Sequence, residues 1–321
     1  MKAAELVPLG RTGVMVSRFG LGLASLGGMF APVPQEQAIA TIDRAWELGV
    51  RLFDTAPVYG YGRSETYAGQ ALGRRSRAAY TLCTKVGRLI EPGGPDTQPI
   101  WADPPPGLGP RLDYSYPAVL RSVADSLDRL GLERVDVLHV HDPDEDYPAA
   151  LAGAYAALAD LRAAGRIGAV SLGVNHADVA ARFIREAPAP GPDCVLLAGR
   201  YTLLDQSALT DLLPLCQRRG VAVMAAGVFQ GGALVDPDAA GGLPPATRAR
   251  LEAIRATCVP YGVPVLAAAL RFPFRHPAVE TVVVGARTPE EVAGSVALLD
   301  HPVPEELWRS LAADGLIPGP S

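Results

Sequence analysis

Residues 135–174 read VDVLHVHDPDEDYPAALAGAYAALADLRAAGRIGAVSLGV, and this stretch decides the fold class. It opens with an almost continuously apolar run over residues 135–141, which is typical of a parallel strand covered on both faces. A segment with helical spacing follows over residues 148–164, and a second apolar run begins at Ala169. A strand, a helix and another strand in this order indicate an α/β protein with a parallel sheet.

The same alternation continues on both sides of this stretch. Further apolar runs predict strands that begin at Phe19, Arg51, Tyr80, Cys194, Val221 and Thr281. Helical spacing predicts helices over residues 35–48, 64–72, 117–130, 177–186, 206–219, 246–259 and 289–299. Eight strands and eight helices without an internal linker predict one (β/α)8 TIM barrel domain over residues 1–321. A doubly wound open sheet is the alternative.

The composition indicates a protein with a large core and without nucleic-acid or membrane partners. Hydrophobic residues make up 49% of the 321 residues and charged residues 20%. A formal net charge of −5 argues against binding to nucleic acid or anionic membranes. No window approaches the roughly 18 apolar residues of a membrane span, and the first residues lack the apolar stretch of a signal peptide. The scattered cysteines follow no metal-ligand spacing, and we expect a cytoplasmic protein with reduced thiols.

A proline- and glycine-rich segment, residues 91–114, follows the third predicted strand. Its length is typical of a functional loop over the mouth of a barrel, although a loop without function fits the composition equally well. The segment carries Trp101, and we expect this aromatic side chain to be exposed and to cover a ligand. Trp101 is therefore a predicted substrate contact.

The predicted strand ends carry a group of polar residues. Asp54 ends the second strand and is followed in the next turn by Tyr59. Lys85 lies at the end of the third strand and His141 at the end of the fourth. Active sites of barrels lie where strands end and the following loops begin. Each residue alone has an ordinary structural explanation, such as a cap or a buried ion pair, but their conjunction favours a catalytic group.

This group is suited to moving a proton on or off an alcohol or carbonyl oxygen. A tyrosine hydroxyl has an unperturbed pKa of about 10, too high for efficient proton transfer near neutral pH. A nearby ammonium stabilises the phenolate, so we expect Lys85 to lower the pKa of Tyr59. A carboxylate fixes the ammonium, and an imidazole orients the substrate oxygen. Because none of these side chains accepts electrons, the reaction needs a hydride cofactor.

Three motifs resemble the catalytic signatures of the aldo-keto reductase superfamily. They are FDTAPVYGYGRSE (53–65), CTKVG (83–87) and LHVHDPD (138–144). In that family an Asp, a Tyr, a Lys and a His form a catalytic tetrad on a (β/α)8 barrel. The resemblance implies that Asp54, Tyr59, Lys85 and His141 are catalytic, with Tyr59 and His141 also contacting the substrate. It further implies an N-terminal hairpin, long loops after the strands and a nicotinamide cofactor.

Further stretches resemble the branch of this superfamily that contains L-fucose (D-threo-aldose) 1-dehydrogenases and pyridoxal 4-dehydrogenase. They are LVPLGRTGVMVSRFGLG (6–22), DTAPVYGYGRSE (54–65), LLAGRYTLLDQ (196–206) and GVPVLAAALRFPFRHPAVETVVVGAR (262–287). Members of that branch oxidise a cyclic hemiacetal to a lactone. The resemblance implies NAD(P)-dependent oxidation at C1 of an aldose of L-fucose, D-arabinose or L-galactose type, with Tyr59 as the base. Pyridoxal 4-dehydrogenase and a general NADPH-dependent aldehyde or ketone reductase are the alternatives.

The cofactor is expected on the loops of the barrel, because no glycine fingerprint of the Rossmann type follows a strand. Barrels bind phosphate at the loops after the seventh and eighth strands, here GVFQGG (227–232) and GARTPEE (285–291). Thr288 and Glu291 have capping-box spacing at the start of the helix that the resemblance assigns to the adenosine half of the cofactor. The predicted contacts are Gly22, Asn175, Gly227, Phe229, Gly231, Gly285, Ala286, Arg287 and Glu291.

The charge of the second loop favours NAD and leaves NADP open. NADPH-using relatives place basic residues there to hold the 2′-phosphate, whereas Glu290 and Glu291 follow a lone Arg287. Acidic side chains repel a phosphate and accept hydrogen bonds from free ribose hydroxyls.

Two departures from the family concern the nicotinamide. Ala198 replaces a glutamine that holds its amide, and Ala226 replaces the aromatic side chain that stacks on its ring.

Two other functions would use these residues differently. His139 and His141 face the same way on one strand and suggest a metal-dependent hydrolase. That interpretation leaves the other polar strand ends unexplained, so we expect no metal and a buried His139.

A nucleotide-binding regulatory subunit is the non-enzymatic alternative. We expect a small-molecule aldose or aldehyde as the ligand of a monomer or small homo-oligomer.

Overall fold

The computed structural model describes residues 1–236, 238 and 243–319. Its strands, in chain order, are β1 (Leu6–Pro8), β2 (Met15–Ser17), β3 (Phe19–Gly22), β4 (Leu52–Asp54), β5 (Thr81–Val86), β6 (Arg88–Pro92), β7 (Leu108–Leu112), β8 (Val137–His141), β9 (Ala169–Val174), β10 (Cys194–Ala198), β11 (Ala222–Ala226) and β12 (Val279–Gly285). Eight of these strands, β3 to β5 and β8 to β12, are parallel and close into a barrel. The predicted (β/α)8 architecture is confirmed, and pairing between β12 and β3 excludes an open sheet.

Helices connect the barrel strands and cover their outer surface. They are α1 (Gln35–Glu47), α2 (Arg63–Leu72), α3 (Tyr116–Leu130), α4 (Tyr147–Ala149), α5 (Tyr155–Ala163), α6 (Ala177–Glu186), α7 (Leu212–Arg219), α8 (Pro245–Cys258), α9 (Val265–Arg271), α10 (Pro289–Asp300) and α11 (Glu305–Ala313). A π-helical turn over Ala150–Ala154 joins α4 to α5. The predicted helix over residues 148–164 is therefore one run that contains a change of helical pitch.

The core has two layers because successive side chains of a strand point to opposite faces. Outside the barrel, Phe19 and Phe53 pack with apolar residues of the helices. Inside it, Leu52 and Val137 pack together with Val16 of the hairpin formed by β1 and β2. The predicted N-terminal hairpin thus closes one end of the barrel, and the carboxyl ends of the strands form the other rim.

The helix predicted over residues 206–219 is shorter than expected. Only Leu212–Arg219 is α-helical, and a single 3₁₀ turn precedes it at Ser207–Leu209. Pro214 is the reason, because a proline has no N–H to donate and is tolerated only in the first turn of a helix. The helix therefore begins just before this proline.

The segment over residues 91–114 is more ordered than a loop. Its ends belong to β6 and β7, which pair antiparallel from Arg88 opposite Leu112 to Pro92 opposite Leu108. The sequence analysis did not predict these strands, because the segment is rich in proline and glycine, which are depleted in strands. The segment is a hairpin that rises from the rim directly after β5.

No single helix within the described ranges is both long and apolar enough to cross a membrane. The bent pair formed by residues 245–261 and 265–275 meets that criterion only when its two parts are taken together.

Candidate active site

The four predicted catalytic residues converge at the carboxyl rim of the barrel. Lys85 Nζ donates a 2.6 Å hydrogen bond to Asp54 Oδ2 on the neighbouring strand and a second, of 2.8 Å, to the carbonyl oxygen of Thr55. The same Nζ lies 4.7 Å from the centroid of the Tyr59 ring. The Tyr59 and His141 rings meet edge to face, with their centroids 6.1 Å apart. A carboxylate, an ammonium, a phenol and an imidazole thus share one side of the rim.

The charged side chains of Asp54 and Lys85 form a buried ion pair. The two side chains are only 5% and 2% exposed. Burial by itself raises the pKa of Asp54 and lowers that of Lys85, because both charged forms lose hydration. For Asp54, the Lys85 ammonium and the neighbouring His139 together outweigh burial, so its pKa is lowered. For Lys85, the Asp54 carboxylate and Tyr59 together outweigh burial, so its pKa is raised. Both groups are therefore charged at neutral pH.

The pKa of Tyr59 corrects one expectation from the sequence. Burial of the phenol raises its pKa, and the Lys85 ammonium only opposes part of this rise. The negative charge of Asp54 adds to the rise. The net direction is upward, because burial is the largest contribution and the ammonium offsets only part of it.

The imidazole of His141 is neutral at physiological pH. Burial lowers its pKa well below the usual value, and the positive charges of Lys85 and Arg88 lower it further. A neutral imidazole carries one N–H donor and one acceptor nitrogen. His141 can therefore donate a hydrogen bond to a substrate oxygen without adding a charge to the site.

An apolar wall stands beside Tyr59. The ring of Trp101 lies 5.4 Å from the Tyr59 ring at an angle of 38°. Trp101 Nε1 donates to Gln98 Oε1 at 2.8 Å, and the Trp101 backbone forms a bridge with Met29. Trp101 is only 5% exposed, so the expectation of an exposed side chain was wrong. Its position beside the phenol, rather than its exposure, makes it part of the rim.

The other side of the rim is built from residues without extended side chains. The consecutive strands β10, β11, β12 and β3 end in Ala198, Ala226, Gly285 and Gly22, respectively. Gly285 lies opposite Gly22 in the register. A Cβ atom at Gly22 would lie 3.3 Å from Val283, and one at Gly285 would lie 3.0 Å from the Ser25 hydroxyl. Four consecutive strands of the barrel thus end in residues with a small side chain or none.

The loop after β12 leads directly into a helix start. Thr288 accepts a hydrogen bond from the backbone N–H of Glu291, as a cap should. The Glu291 carboxylate accepts from the N–H of Arg287, one residue before the position that a capping box requires. The Arg287 guanidinium donates to the carbonyl oxygen of Met29 at 2.9 Å. Arg287 is therefore engaged with the loop after β3.

The loop after β11 contains single residues with left-handed backbone. Gly227 has φ +65° and Gly231 has φ +64°, which glycine adopts at little cost. Between them, Gln230 donates to the Thr202 hydroxyl at 2.8 Å and so ties this loop to the segment after β10. Phe229 is half-buried against the core. The sequence analysis did not identify Gln230. Its left-handed backbone, with φ +52°, is visible only in the folded structure.

Comparison with known proteins identifies the family. Residues 18–313 match the Aldo/keto reductase family. The chain belongs to this family. Pyridoxal 4-dehydrogenase from Microbacterium luteolum is 41% identical to this aldo/keto reductase, over 99% of each chain. D-threo-aldose 1-dehydrogenase from a Pseudomonas species is 36% identical, over 96% of this chain and 97% of its own.

A solved structure shares the fold of this aldo/keto reductase. Glycerol dehydrogenase from Gluconobacter oxydans superposes with a TM-score of 0.77 over 99% of both chains, at 23% identity. The protein is an oxidoreductase of this family, whose members use nicotinamide cofactors.

The two histidines of β8 do not act as a pair in this aldo/keto reductase. His139 is fully buried, as predicted, and its Nε2 lies 3.2 Å from Asp54 Oδ1 without hydrogen-bond alignment. Asp54, Cys83 and His139 offer ligand atoms within 4.8 Å of one another, whereas His141 is not part of that group. The Lys85 ammonium on Asp54 repels a second cation there. The arrangement does not favour the metal-dependent hydrolase.

Sequence reasoning missed two charged residues near His141, Arg88 and Asp142. Asp142 and Arg88 form an ion pair with an oxygen–nitrogen distance of 3.3 Å, and Asp142 also accepts from the side chain of Asn175. Arg88 lies after β5, Asp142 after β8 and Asn175 after β9. A charged residue within two positions of the end of a predicted strand was the available signal for Arg88 and Asp142, but their pairing depends on which strands are neighbours.

Proposed function

We propose that this protein oxidises the C1 hemiacetal of an aldose to the corresponding lactone, with NAD as the hydride acceptor. The observation that supports the proposal is that the carboxyl rim of the barrel has a polar side and a side of small residues. The phenol of Tyr59, the buried ammonium of Lys85 and the imidazole of His141 occupy one side. Alanine and glycine strand ends occupy the other side, where we place the cofactor ring.

The proposed roles follow from the contacts of each side chain. Tyr59 is the general base that takes the proton of the C1 hydroxyl group, and Lys85 stabilises the phenolate. Asp54 holds the Lys85 ammonium in place. His141 donates a hydrogen bond to the reacting oxygen and orients it. When bound, the nicotinamide supplies the acceptor for the hydride that leaves C1, so the C–O bond becomes C=O.

The residues proposed to hold the cofactor lie on three sides of the rim. The backbones at Gly22 and Gly285 let the ring approach, and Asn175 offers an amide from the end of β9. The glycines of the loop after β11, with Phe229, lie where the pyrophosphate is expected. Ala286, Arg287 and Glu291 lie at the start of α10 and border the adenosine half.

The contacts of Arg287 support NAD rather than NADP. Its guanidinium donates a hydrogen bond to the carbonyl oxygen of Met29. Glu290, three residues further along the chain, is exposed. A 2′-phosphate at this position would meet the carboxylates of Glu290 and Glu291 beside a guanidinium that is already held by Met29.

Pyridoxal is the second candidate substrate, because the relative named for that activity shares 41% of its residues with this chain. Pyridoxal forms a cyclic hemiacetal, so both candidates present the same group to Tyr59 and His141. The two differ in what they offer to the rest of the site, a set of hydroxyl groups or an aromatic ring.

The test is reduction of NAD or NADP by the purified protein, followed at the reduced-nicotinamide absorbance band. The panel contains L-fucose, L-galactose, D-arabinose, other aldoses and pyridoxal. The matched control is the methyl glycoside of each active sugar, which has no free C1 hydroxyl. Reduction of NAD by an aldose, none by its glycoside and a lactone as product support the proposal.

The remaining outcomes contradict it. Reduction by pyridoxal alone assigns the second candidate. Oxidation of NADPH by simple aldehydes without any sugar oxidation makes the protein a general carbonyl reductase. Tight nucleotide binding without turnover of any substrate favours the regulatory subunit.

A further inference from the structure

Asp142 has a backbone conformation that few residues adopt. Its φ is +43°, in the left-handed region that L-residues generally avoid. Two hydrogen bonds hold the backbone there. The Asp142 N–H donates to the carbonyl oxygen of Gly173 at 2.9 Å, and the Tyr114 hydroxyl donates to the Asp142 carbonyl oxygen at 2.6 Å. The hydroxyl of Tyr114 also contacts the carbonyl oxygen of His141, so one side chain fixes both residues.

The Asp142 carboxylate connects three groups of the rim. Oδ1 accepts a 3.0 Å hydrogen bond from Asn175 Nδ2. Oδ2 accepts from Arg88 Nη2 at 3.3 Å and lies 3.7 Å from His141 Nε2. The Arg88 side chain is 7% exposed and is also held by Glu145 at 3.0 Å. The carboxylate is therefore held by Asn175 through one oxygen and by Arg88 through the other.

A glycine would satisfy this backbone without strain, and glycine occupies most left-handed positions among the residues that the structure describes. Asp142 carries a side chain instead, which costs conformational energy in this region. Non-glycine residues in such conformations cluster at functional sites, where the surrounding contacts hold them. What the side chain adds at this point is its carboxylate.

We propose that Asp142 is a positioning residue that fixes the Asn175 amide and the His141 imidazole relative to each other. This inference rests on the proposed function. A carboxylate only accepts hydrogen bonds, so the Asn175 amide presents its NH2 to Asp142 and keeps its carbonyl oxygen for a donor on the cofactor. The same negative charge, 3.7 Å from Nε2, favours the His141 tautomer that carries its proton on that nitrogen.

Two substitutions separate positioning from backbone strain. Asp142→Asn keeps an oxygen that can accept from Asn175 and tolerates left-handed backbone. Asp142→Gly removes the carboxylate and relieves the strain. Asp103→Gly is the matched control, because Asp103 also has a left-handed backbone, with φ +48°, and is exposed. Each variant is measured for NAD affinity by calorimetry, for kcat and KM, and for thermal stability without cofactor.

Positioning predicts an order of activities. Asp142→Gly lowers kcat by about 10- to 100-fold, as expected when a reacting group is misplaced by a fraction of an ångström. It also weakens NAD binding. Asp142→Asn recovers most of the NAD affinity, because its oxygen still accepts from Asn175, but less of kcat, because the negative charge beside His141 is lost. Asp103→Gly behaves like the wild type. Equal or better NAD affinity and kcat in Asp142→Gly than in Asp142→Asn would overturn the proposal.

A second variant covers the case in which Asp142→Gly does not fold. Tyr114→Phe removes only the hydroxyl that holds the carbonyl oxygens of residues 141 and 142. The proposal predicts a loss of both kcat and NAD affinity, and wild-type values for both would overturn it. Calorimetry needs no turnover, so this result is separate from the failure of the wild type to oxidise any hemiacetal, which would refute the proposed function instead.

Discussion

Lys85 donates a 2.6 Å hydrogen bond to Asp54 while both side chains are almost completely withdrawn from water. A buried charge is tolerated only if it is paired, because the attraction to its partner must replace the lost hydration. The pair therefore acts as one unit, and the position of the ammonium under the Tyr59 ring depends on the carboxylate.

Removal of one partner of this pair should destabilise the protein more than removal of both. Lys85→Met leaves the Asp54 carboxylate buried and unpaired, and we expect a loss of about 3–5 kcal/mol in the free energy of unfolding. The double variant Asp54→Asn, Lys85→Met should regain most of this loss and remain inactive. Urea denaturation of the wild type, both single variants and the double variant measures the coupling. Additive effects of the two substitutions would contradict a coupled pair.

Oxidation should become faster as the pH rises. Burial raises the pKa of Tyr59, so the phenol is mostly protonated at neutral pH, whereas the proposed base is the phenolate. We expect kcat for oxidation to rise about tenfold per pH unit between about pH 7 and pH 9. Lys85 stays charged over this range, because its pKa is raised. A kcat that does not change over the same interval would show that Tyr59 is not the titrating base.

Trp101 should matter through its ring more than through its indole N–H. Trp101→Ala removes the ring beside Tyr59, and we expect it to cost about 3 kcal/mol in stability. It should also lower kcat/KM by at least about tenfold, because the wall that confines the phenol is lost. Trp101→Phe keeps a ring and loses only the hydrogen bond to Gln98, worth about 1 kcal/mol. Steady-state kinetics measure kcat/KM of both variants. Equal values would show that the Trp101 ring does not contribute to the substrate site.

The acidic start of α10 should set the cofactor preference. Glu290→Arg replaces an exposed carboxylate by a cation, and we expect NADP to bind about tenfold more tightly while NAD affinity changes little. Glu306→Arg, in the first turn of α11, changes the net charge equally and serves as the control. Calorimetric Kd values for both nucleotides measure the effect. An unchanged NADP affinity in Glu290→Arg would place the ribose elsewhere.

The barrel and its polar rim could be predicted because both depend on local patterns. Strands covered on both faces are apolar throughout, and their ends mark the rim on which Asp54 and His141 lie. Helix α9 left no such signal, because its residues Ala267–Leu270 are all buried and show no polar face.

Contacts between distant segments could not be predicted from local patterns. The hydrogen bond from Arg287 to Met29 joins residues 258 positions apart in the chain, and the ion pair of Arg88 with Asp142 depends on the order of the strands. The direction of the pKa shift of Tyr59 is a similar case. It depends on how deeply the phenol is buried, which the motif around it does not encode.

The most direct test of the account is NAD reduction by Tyr59→Phe with the aldose that the wild type oxidises best. The substitution removes only the hydroxyl proposed to take the substrate proton and keeps the ring against Trp101. We predict a kcat at least about a thousandfold below that of the wild type, within the range of general base catalysis, with an unchanged Kd for NAD. A kcat near that of the wild type would contradict the proposed chemistry.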